Sequence, residues 1–349
     1  MTNRKPDENP EGLKRYERQI LFPGVGEDGQ RKLLRSRAVV IGCGALGSVI
    51  ANNLARAGIG NLVIADRDFI ELNNLQRQIL FDEEDIAKGL PKATAAAGKL
   101  RKINSSIRIE PIVADVTWAN IETLIAGADV VLDGTDNFDT RCLINDACVK
   151  HGIPWIYGGV MASYGMSATI VPRQTPCLRC LFPRAPLPGA LQTCDTAGVL
   201  GSVVNTIASI ESMEAMKLLI GRGRRNPGII TVDLWEDIFD TIPLSKREGD
   251  CPACGRGDYE YLAAREGVHT TSLCGHGAVQ VSVRPSGKID FPVLARRLES
   301  AGKVWFNEFL LRFSVDGYEL TVFPDARTII KGTTDEALAK TLYAKFIGA

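Results

Sequence analysis

The sequence has no excess charge of either sign. Its 349 residues carry 41 lysines and arginines against 41 aspartates and glutamates. No global field therefore steers the chain toward nucleic acid or an anionic lipid surface, and any polyanion it holds must be gripped locally. Long apolar runs are missing as well. Spanning a bilayer takes about 20 residues, and every apolar stretch is broken sooner by Gly, Asn, Asp or Arg. Nor is there a signal peptide, because the opening MTNRKPDENPEG is polar. These absences predict a soluble, cytoplasmic protein with neither a nucleic-acid nor a membrane partner. What is present, 45% hydrophobic residues over this length, fills about two ordinary globular cores.

Cysteine is not scarce. Nine of them in a reducing compartment point to metal or redox work where they fall in Cys-x-x-Cys pairs. There are two such pairs, Cys177/Cys180 in TPCLRC and Cys251/Cys254 in CPACG. Each makes a tight knuckle with two thiolates on one side, and two knuckles supply the four soft ligands of a closed, structural zinc site. Disulfides and buried free thiols are the competing readings. With the pairs roughly seventy positions apart, one zinc would pin a distant loop to the end of the preceding domain.

Upstream, the β-branched run Ala38–Ile41 enters a glycine loop, Gly42-Cys43-Gly44-Ala45-Leu46-Gly47, and Ser48–Ala57 reads as the helix leaving it. The glycines let the backbone approach a phosphate closely. Leu62–Ala65 is the next strand. It ends at Asp66, whose spacing from the loop suits an acid that meets ribose hydroxyls. Further strands at Ile107–Val113 and Asp129–Leu132 alternate with helical stretches such as Lys92–Ile103, which predicts a Rossmann-like, doubly wound, mostly parallel sheet. GxGxxG alone makes NAD and an oxidoreductase the default. The continuation argues otherwise: Asn74, Arg77 and Gln78, then Lys92, place two cations and amides near one nucleotide, which suits a triphosphate under attack. Asp136, followed by Asn137 in DGTDN, offers a hard oxygen at a strand's carboxyl end, where magnesium is commonly held; capping the next helix is its alternative role.

With these motifs the chain resembles the sulfur-carrier adenylyltransferases of thiamine and molybdopterin synthesis, the ThiF/MoeB type, which are related to ubiquitin-activating enzymes. The resemblance covers roughly residues 13–258. It rests on RYERQI (Arg15–Ile20), GCGALG, NNLQRQ, Pro91-Lys92, DGTDN, both knuckles and TCDTAG (Thr193–Gly198). The loop departs from the frequent form only at Ala45. The resemblance implies that ATP is bound with Mg2+ and Zn2+ present: Gly42, Gly44 and Gly47 cradle it, Asp66 takes the ribose, and Asn74, Arg77, Gln78 and Lys92 line the phosphates. Asp136 holds magnesium beside Asn137, and Arg18 reaches into the second subunit of a homodimer. The implied reaction is adenylation of the terminal carboxylate of a ubiquitin-like sulfur carrier ending in Gly-Gly. Other carboxylates, such as a modified tRNA base or a peptide, are the alternative within the superfamily. Outside the family reading stand an NAD-dependent oxidoreductase and a zinc-stabilised, non-catalytic scaffold.

Cys194 follows Pro183, Pro186, Pro188 and Gly189, so it closes an irregular segment able to cross over a bound tail. In the family this position can carry the activated carrier covalently; a structural cysteine is the competing role. The helix Val203–Ile220 carries Ile207, Ile210, Met213 and Met216 at core spacing, and His151 reads as a loop or core residue. The chain is expected to divide into an ATP-binding domain, 1–258, and a small α+β domain, 259–349. The second has a half-buried strand around Val279 and Val281, a hairpin turning at Asp316-Gly317, and a final helix capped by Thr333 and Glu336. Cys274 and His276 read as structural, with extra metal ligands the alternative. Nothing in this tail resembles a rhodanese domain, so sulfur is expected from a separate donor, such as a cysteine desulfurase or rhodanese.

Overall fold

A computed structural model describes residues 10–183, 197–244, 249–263, 269–273, 277–282 and 289–347. The chain divides into two units, Met1–Ala264 and Arg265–Ala349. Within the first unit, Tyr261 donates its backbone N–H to Asp146.

The first unit is built on eight strands: β1 (Arg37–Ile41), β2 (Asn61–Asp66), β3 (Arg108–Val113), β4 (Val130–Asp133), β5 (Trp155–Met161), β6 (Tyr164–Ile170), β7 (Gly228–Asp233) and β8 (Ile238–Pro243). They lie in the order β3-β2-β1-β4-β5-β6-β7-β8. The first five run parallel and the last three join antiparallel. The central strands alternate between two cores. Val40, Ile64 and Leu132 face one core; Val39, Val63, Val131 and the wholly buried Trp155 face the other.

The longer helices flanking this sheet are α1 (Gly26–Arg35), α2 (Ala45–Ala57), α3 (Lys92–Ile103), α4 (Phe138–His151) and α5 (Gly201–Ile220). Ile207 of α5 is buried in the first core and Ile210 and Met216 pack against it. Met213 departs from the expected core role: it is 51% exposed, because the apolar pattern of this helix runs nearly all round. His151 ends α4 on the surface and meets Glu122 at 2.6 Å, a helix C-terminus rather than a loop or core position.

Strand order reverses between β1 and β4, the switch point where α/β sheets open a crevice at their carboxyl ends. Both the glycine loop after β1 and the DGTDN turn after β4 sit there.

The second unit is a six-stranded antiparallel sheet, in the order β11-β12-β13-β14-β10-β9. Its strands are β9 (His269–Leu273), β10 (Ala278–Ser282), β11 (Lys303–Phe306), β12 (Leu311–Val315), β13 (Tyr318–Val322) and β14 (Thr328–Lys331). Helices α6 (Phe291–Leu298) and α7 (Glu336–Phe346) share its core with Val279, Val281, Phe313 and Leu320. The expected hairpin turns with φ of 50° at Asp316 and 81° at Gly317, the left-handed pair of a tight turn. The expected cap of α7 is corrected. Asp335, not Thr333, accepts the N–H groups of Ala337 and Leu338, and the Thr333 hydroxyl accepts from Asp335 N–H instead. A carboxylate next to the helix start displaces a hydroxyl two residues earlier. No helix among the described residues is long and apolar enough to cross a membrane.

Candidate active site and metal centre

The glycine loop is shaped by close backbone contacts. Gly42 has φ of 85°, and a β-carbon there would lie 2.6 Å from the carbonyl oxygen of Gly134. A β-carbon on Gly47 would lie 1.9 Å from Gly42 O. Gly44 is roomier; the nearest atom to its β-carbon position is Gln78 Nε2 at 3.8 Å. The open edge at Gly44 is where a phosphate can approach the N-terminus of α2. Gln78 Oε1 is buried with no hydrogen-bond partner among the described residues, an acceptor left for a ligand.

Asp66 ends β2 with both oxygens engaged. Cys43 N–H donates to Oδ2 at 2.5 Å and Asp68 N–H to Oδ1 at 2.6 Å. Burial pushes this carboxyl upward against the pull of Lys92, yet two backbone donors need an acceptor at each oxygen, so the geometry holds the ionised form. Lys92 is buried at the start of α3, with Nζ 3.5 Å from Asp68 Oδ2. Burial works against its charge, but Asp68, Asp66 and Asp136 outweigh burial and hold its pKa above the ordinary lysine value. Asp136 is exposed. Asn137 beside it accepts Thr140 N–H at 2.9 Å as the N-cap of α4, so this capping role belongs to Asn137, whose Nδ2 also donates to Asp136 Oδ1 at 3.5 Å.

The structure therefore brings Gly42, Gly44, Gly47, Asp66, Gln78, Lys92 and Asp136 to one crevice. Asn74 is buried nearby and closes its own turn by accepting Glu71 N–H at 3.2 Å. Arg77 is half-buried; its guanidinium donates to Asn73 O at 2.7 Å and makes no ion pair among the described residues. Arg18 is exposed, with no hydrogen bond or ion pair among them. Cys194, like Cys274 and His276, lies outside the described residues.

Sequence reasoning passed over Arg67, which pairs with Asp115 at 2.9 Å, and Asp68, although the Asp-Arg-Asp run was visible. It also passed over Asp133 and Arg141, joined at 3.0 Å beneath the DGTDN turn. Arg141 lies one helical turn past that motif, the only local signal for it.

The four knuckle sulfurs all lie within 4.8 Å of one another. Cys177–Cys180, Cys177–Cys251 and Cys180–Cys254 are separated by 3.9, 3.6 and 3.4 Å. Zn–S bonds of 2.3 Å in a tetrahedron require sulfur edges of about 3.8 Å, whereas a disulfide needs about 2.05 Å. Burial and the neighbouring sulfurs push the Cys177 thiol up to about 12 and Cys254 higher still, so thiols this close need a cation to ionise together. The donor set fits zinc.

Around the centre, Leu178 N–H donates to Asn145 Oδ1 at 2.9 Å, and Arg179 meets Glu260 at 3.0 Å and lies over the Tyr261 ring. These contacts moor the first knuckle and the end of the unit to α4. Asp146, which accepts Tyr261 N–H at 3.1 Å, is pushed up to about 6 from the ordinary 3.8, chiefly by burial. The folded value is the raised one, so this group's contribution to stability is fully present below about 3.8 and is lost as pH rises through about 6. Asp146→Asn is therefore expected to exceed the wild type in stability by about 2 to 3 kcal/mol at pH 8, with the gap narrowing toward pH 5. Urea midpoints measured across that window test this; parallel curves for the two proteins would reject it.

Comparison with known proteins follows this geometry. The profile of the ThiF family matches residues 16–253. The chain is 43% identical over 336 residues to the sulfur carrier protein ThiS adenylyltransferase of Bacillus subtilis (strain 168), covering 96% of this chain and 99% of that protein. It is 44% identical over 262 residues to the SAMP-activating enzyme E1 of Haloferax volcanii, covering 75% of this chain and 96% of that one. Among solved structures, E. coli MccB with AMPCPP and SeMet MccA aligns with a TM-score of 0.63 at 23% identity, over 72% of this chain and 76% of that one. That is a likeness of fold alone.

Proposed function

The chain belongs to the ThiF family, and from that premise we propose that it is an ATP-dependent adenylyltransferase acting on the terminal Gly-Gly carboxylate of a ubiquitin-like sulfur carrier. The carrier favoured is the ThiS type of thiamine synthesis. The observation that carries this reading is the 43% identity extending over 99% of the Bacillus subtilis enzyme, since a match of that length includes the second unit as well as the nucleotide site.

In the reaction, a carrier carboxylate oxygen attacks the α-phosphorus of ATP. The new bond gives an acyl-adenylate, and the bond to the bridging oxygen breaks to release pyrophosphate. The chain has little covalent work to do; it holds two anions together and neutralises the charge that moves onto the leaving group. Lys92, buried and charged beside Asp68 and Asp66, and Arg77, which makes no ion pair among the described residues, serve that neutralisation. The N–H groups at Gly44 and the start of α2 receive phosphate oxygens, and Gln78 Oε1 accepts from the nucleotide. Asp136 would hold Mg2+, which when bound supplies charge to the phosphates, and the four thiolates would hold a structural Zn2+. Arg18, exposed and without an ion pair among the described residues, serves the neighbouring site of a homodimer. Sulfur comes from a separate donor protein, and the reaction takes place in the cytoplasm.

The test is carrier-dependent exchange of radiolabelled pyrophosphate into ATP, with Gly-Gly carriers of the thiamine and molybdopterin pathways offered separately. Exchange with the thiamine carrier is expected. Exchange with the other carrier alone would reassign the pathway, and none with either would overturn the proposal.

A further inference from the structure

Beneath the turn that presents Asp136 lies a buried ionic cluster that the proposed reaction does not use directly. Asp133, the last residue of β4, is wholly buried and accepts three donors: Thr135 N–H at 2.9 Å, the Thr135 hydroxyl at 2.6 Å and Arg141 Nε at 3.0 Å. Arg141, on the first turn of α4, spends its remaining reach on backbone. Nη2 donates to the carbonyls of Thr135 at 2.7 Å and Gly158 at 3.0 Å, and the guanidinium lies over the Tyr157 ring. On its other side the turn is pinned to the end of β1, just before the glycine loop, for Gly134 N–H donates to Ile41 O at 2.7 Å.

The carbonyl of Thr135 belongs to the peptide whose nitrogen is that of Asp136. Thr135 is held by two bonds to Asp133, from its N–H and its hydroxyl, and its carbonyl by one from Arg141, so the peptide on which the Asp136 side chain is mounted is fixed. Glu211 of α5 is buried beside this pair, with both carboxyl oxygens lacking a hydrogen-bond partner among the described residues. Burial and the Asp133 charge push its carboxyl well above the ordinary glutamate range, and Arg141, 3.0 Å from Asp133, is the cation that pairs with the Asp133 carboxylate.

We infer that Arg141 is a positioning residue for the adenylation site, holding the Thr135–Asp136 peptide so that the Asp136 carboxylate meets the nucleotide-bound metal. The inference rests on the proposed reading of Asp136. A planar guanidinium makes all three contacts at once; a lysine keeps the charge that Asp133 requires but reaches one or two of them. Loss of an outer partner of this kind typically costs 10- to 100-fold in metal affinity or activity.

The test uses the full chain carrying Arg141→Lys. Mn2+ stands in for magnesium and is titrated by electron paramagnetic resonance in the presence of a non-hydrolysable ATP analogue, with Asp136→Asn as reference. The half-saturating Mn2+ concentration is expected to rise about 10-fold and kcat for pyrophosphate exchange to fall about 10- to 100-fold. KM for the carrier, zinc content and melting midpoint should stay near wild type. A merely structural role would lower the melting midpoint and leave the Mn2+ titration of the folded fraction unchanged, which overturns the inference, as does a wild-type titration indifferent to Asp136→Asn. Should Arg141→Lys not fold, Asp133→Asn carries the same measurement; if neither folds, the pair is a folding element and the inference is overturned. A wild type that binds Mn2+ with the analogue yet exchanges no pyrophosphate defeats the proposed function alone and leaves the titration to decide this one.

Discussion

Arg77→Ala is expected to lower carrier-dependent pyrophosphate exchange by about 10²- to 10³-fold, the usual cost of one preorganised charge contact to a transition state, with no change in melting midpoint. Folding does not depend on this guanidinium. Among the described residues it donates only to Asn73 O, a neighbour on its own turn, and it makes no ion pair. The helix start at Gly201 packs against the Arg77 backbone rather than its side chain: a β-carbon there would lie 3.8 Å from Arg77 Cα. Lys92 offers an informative contrast. It is buried beside Asp66 and Asp68, so Lys92→Ala would remove a buried cation that faces both carboxylates, with Arg67 still 3.6 Å from Asp68, and would lose stability as well as rate. An Arg77→Ala enzyme with near-normal exchange would remove Arg77 from the phosphate site.

The largest expected effect on stability is loss of zinc. Stripping the metal with a strong chelator, or replacing Cys177 by serine, is expected to cost roughly 10 kcal/mol, comparable to the whole stability of an ordinary domain, about 5–15 kcal/mol. The reason lies in position. Cys177, Cys180 and Cys251 are buried in the core that also holds Trp155, Tyr157 and Leu178. Without the metal, thiols crowded to within 4.8 Å lose the cation that lets them ionise together. Calorimetry on holo and chelated protein, with zinc counted by atomic emission, is the check. A metal-free chain that melts at the holo temperature would show that packing alone closes the site, and Cys251→Ser should behave as Cys177→Ser does because each knuckle supplies two ligands.

Much of the nucleotide domain was legible along the sequence because its signals are local. The helix Lys92–Ile103 was read with the bounds the structure shows, since Pro91 starts it and Asn104 stops it. Strands β1 to β4 were found within a residue or two, as buried runs between turn signals. Misreadings arose where two local rules competed. Thr333 and Asp335 are both cap residues two positions apart, and the carboxylate took the helix start. Met213 fits a core period on an all-round apolar helix, yet faces out.

By itself, the sequence determined the two cysteine knuckles, the glycine loop and the family, because spacing within a few residues fixes a Cys-x-x-Cys knuckle or a glycine turn wherever the chain goes next. The two knuckles, 74 positions apart, were expected to share one centre, and the tertiary structure brings their sulfurs within 4.8 Å of one another. It alone placed the loops after β1 and β4 side by side at the switch point and put Arg141 under the peptide that carries Asp136. Those are long-range pairings, set by strand order and by the need to compensate a buried carboxylate, and neither leaves a periodic trace in the chain.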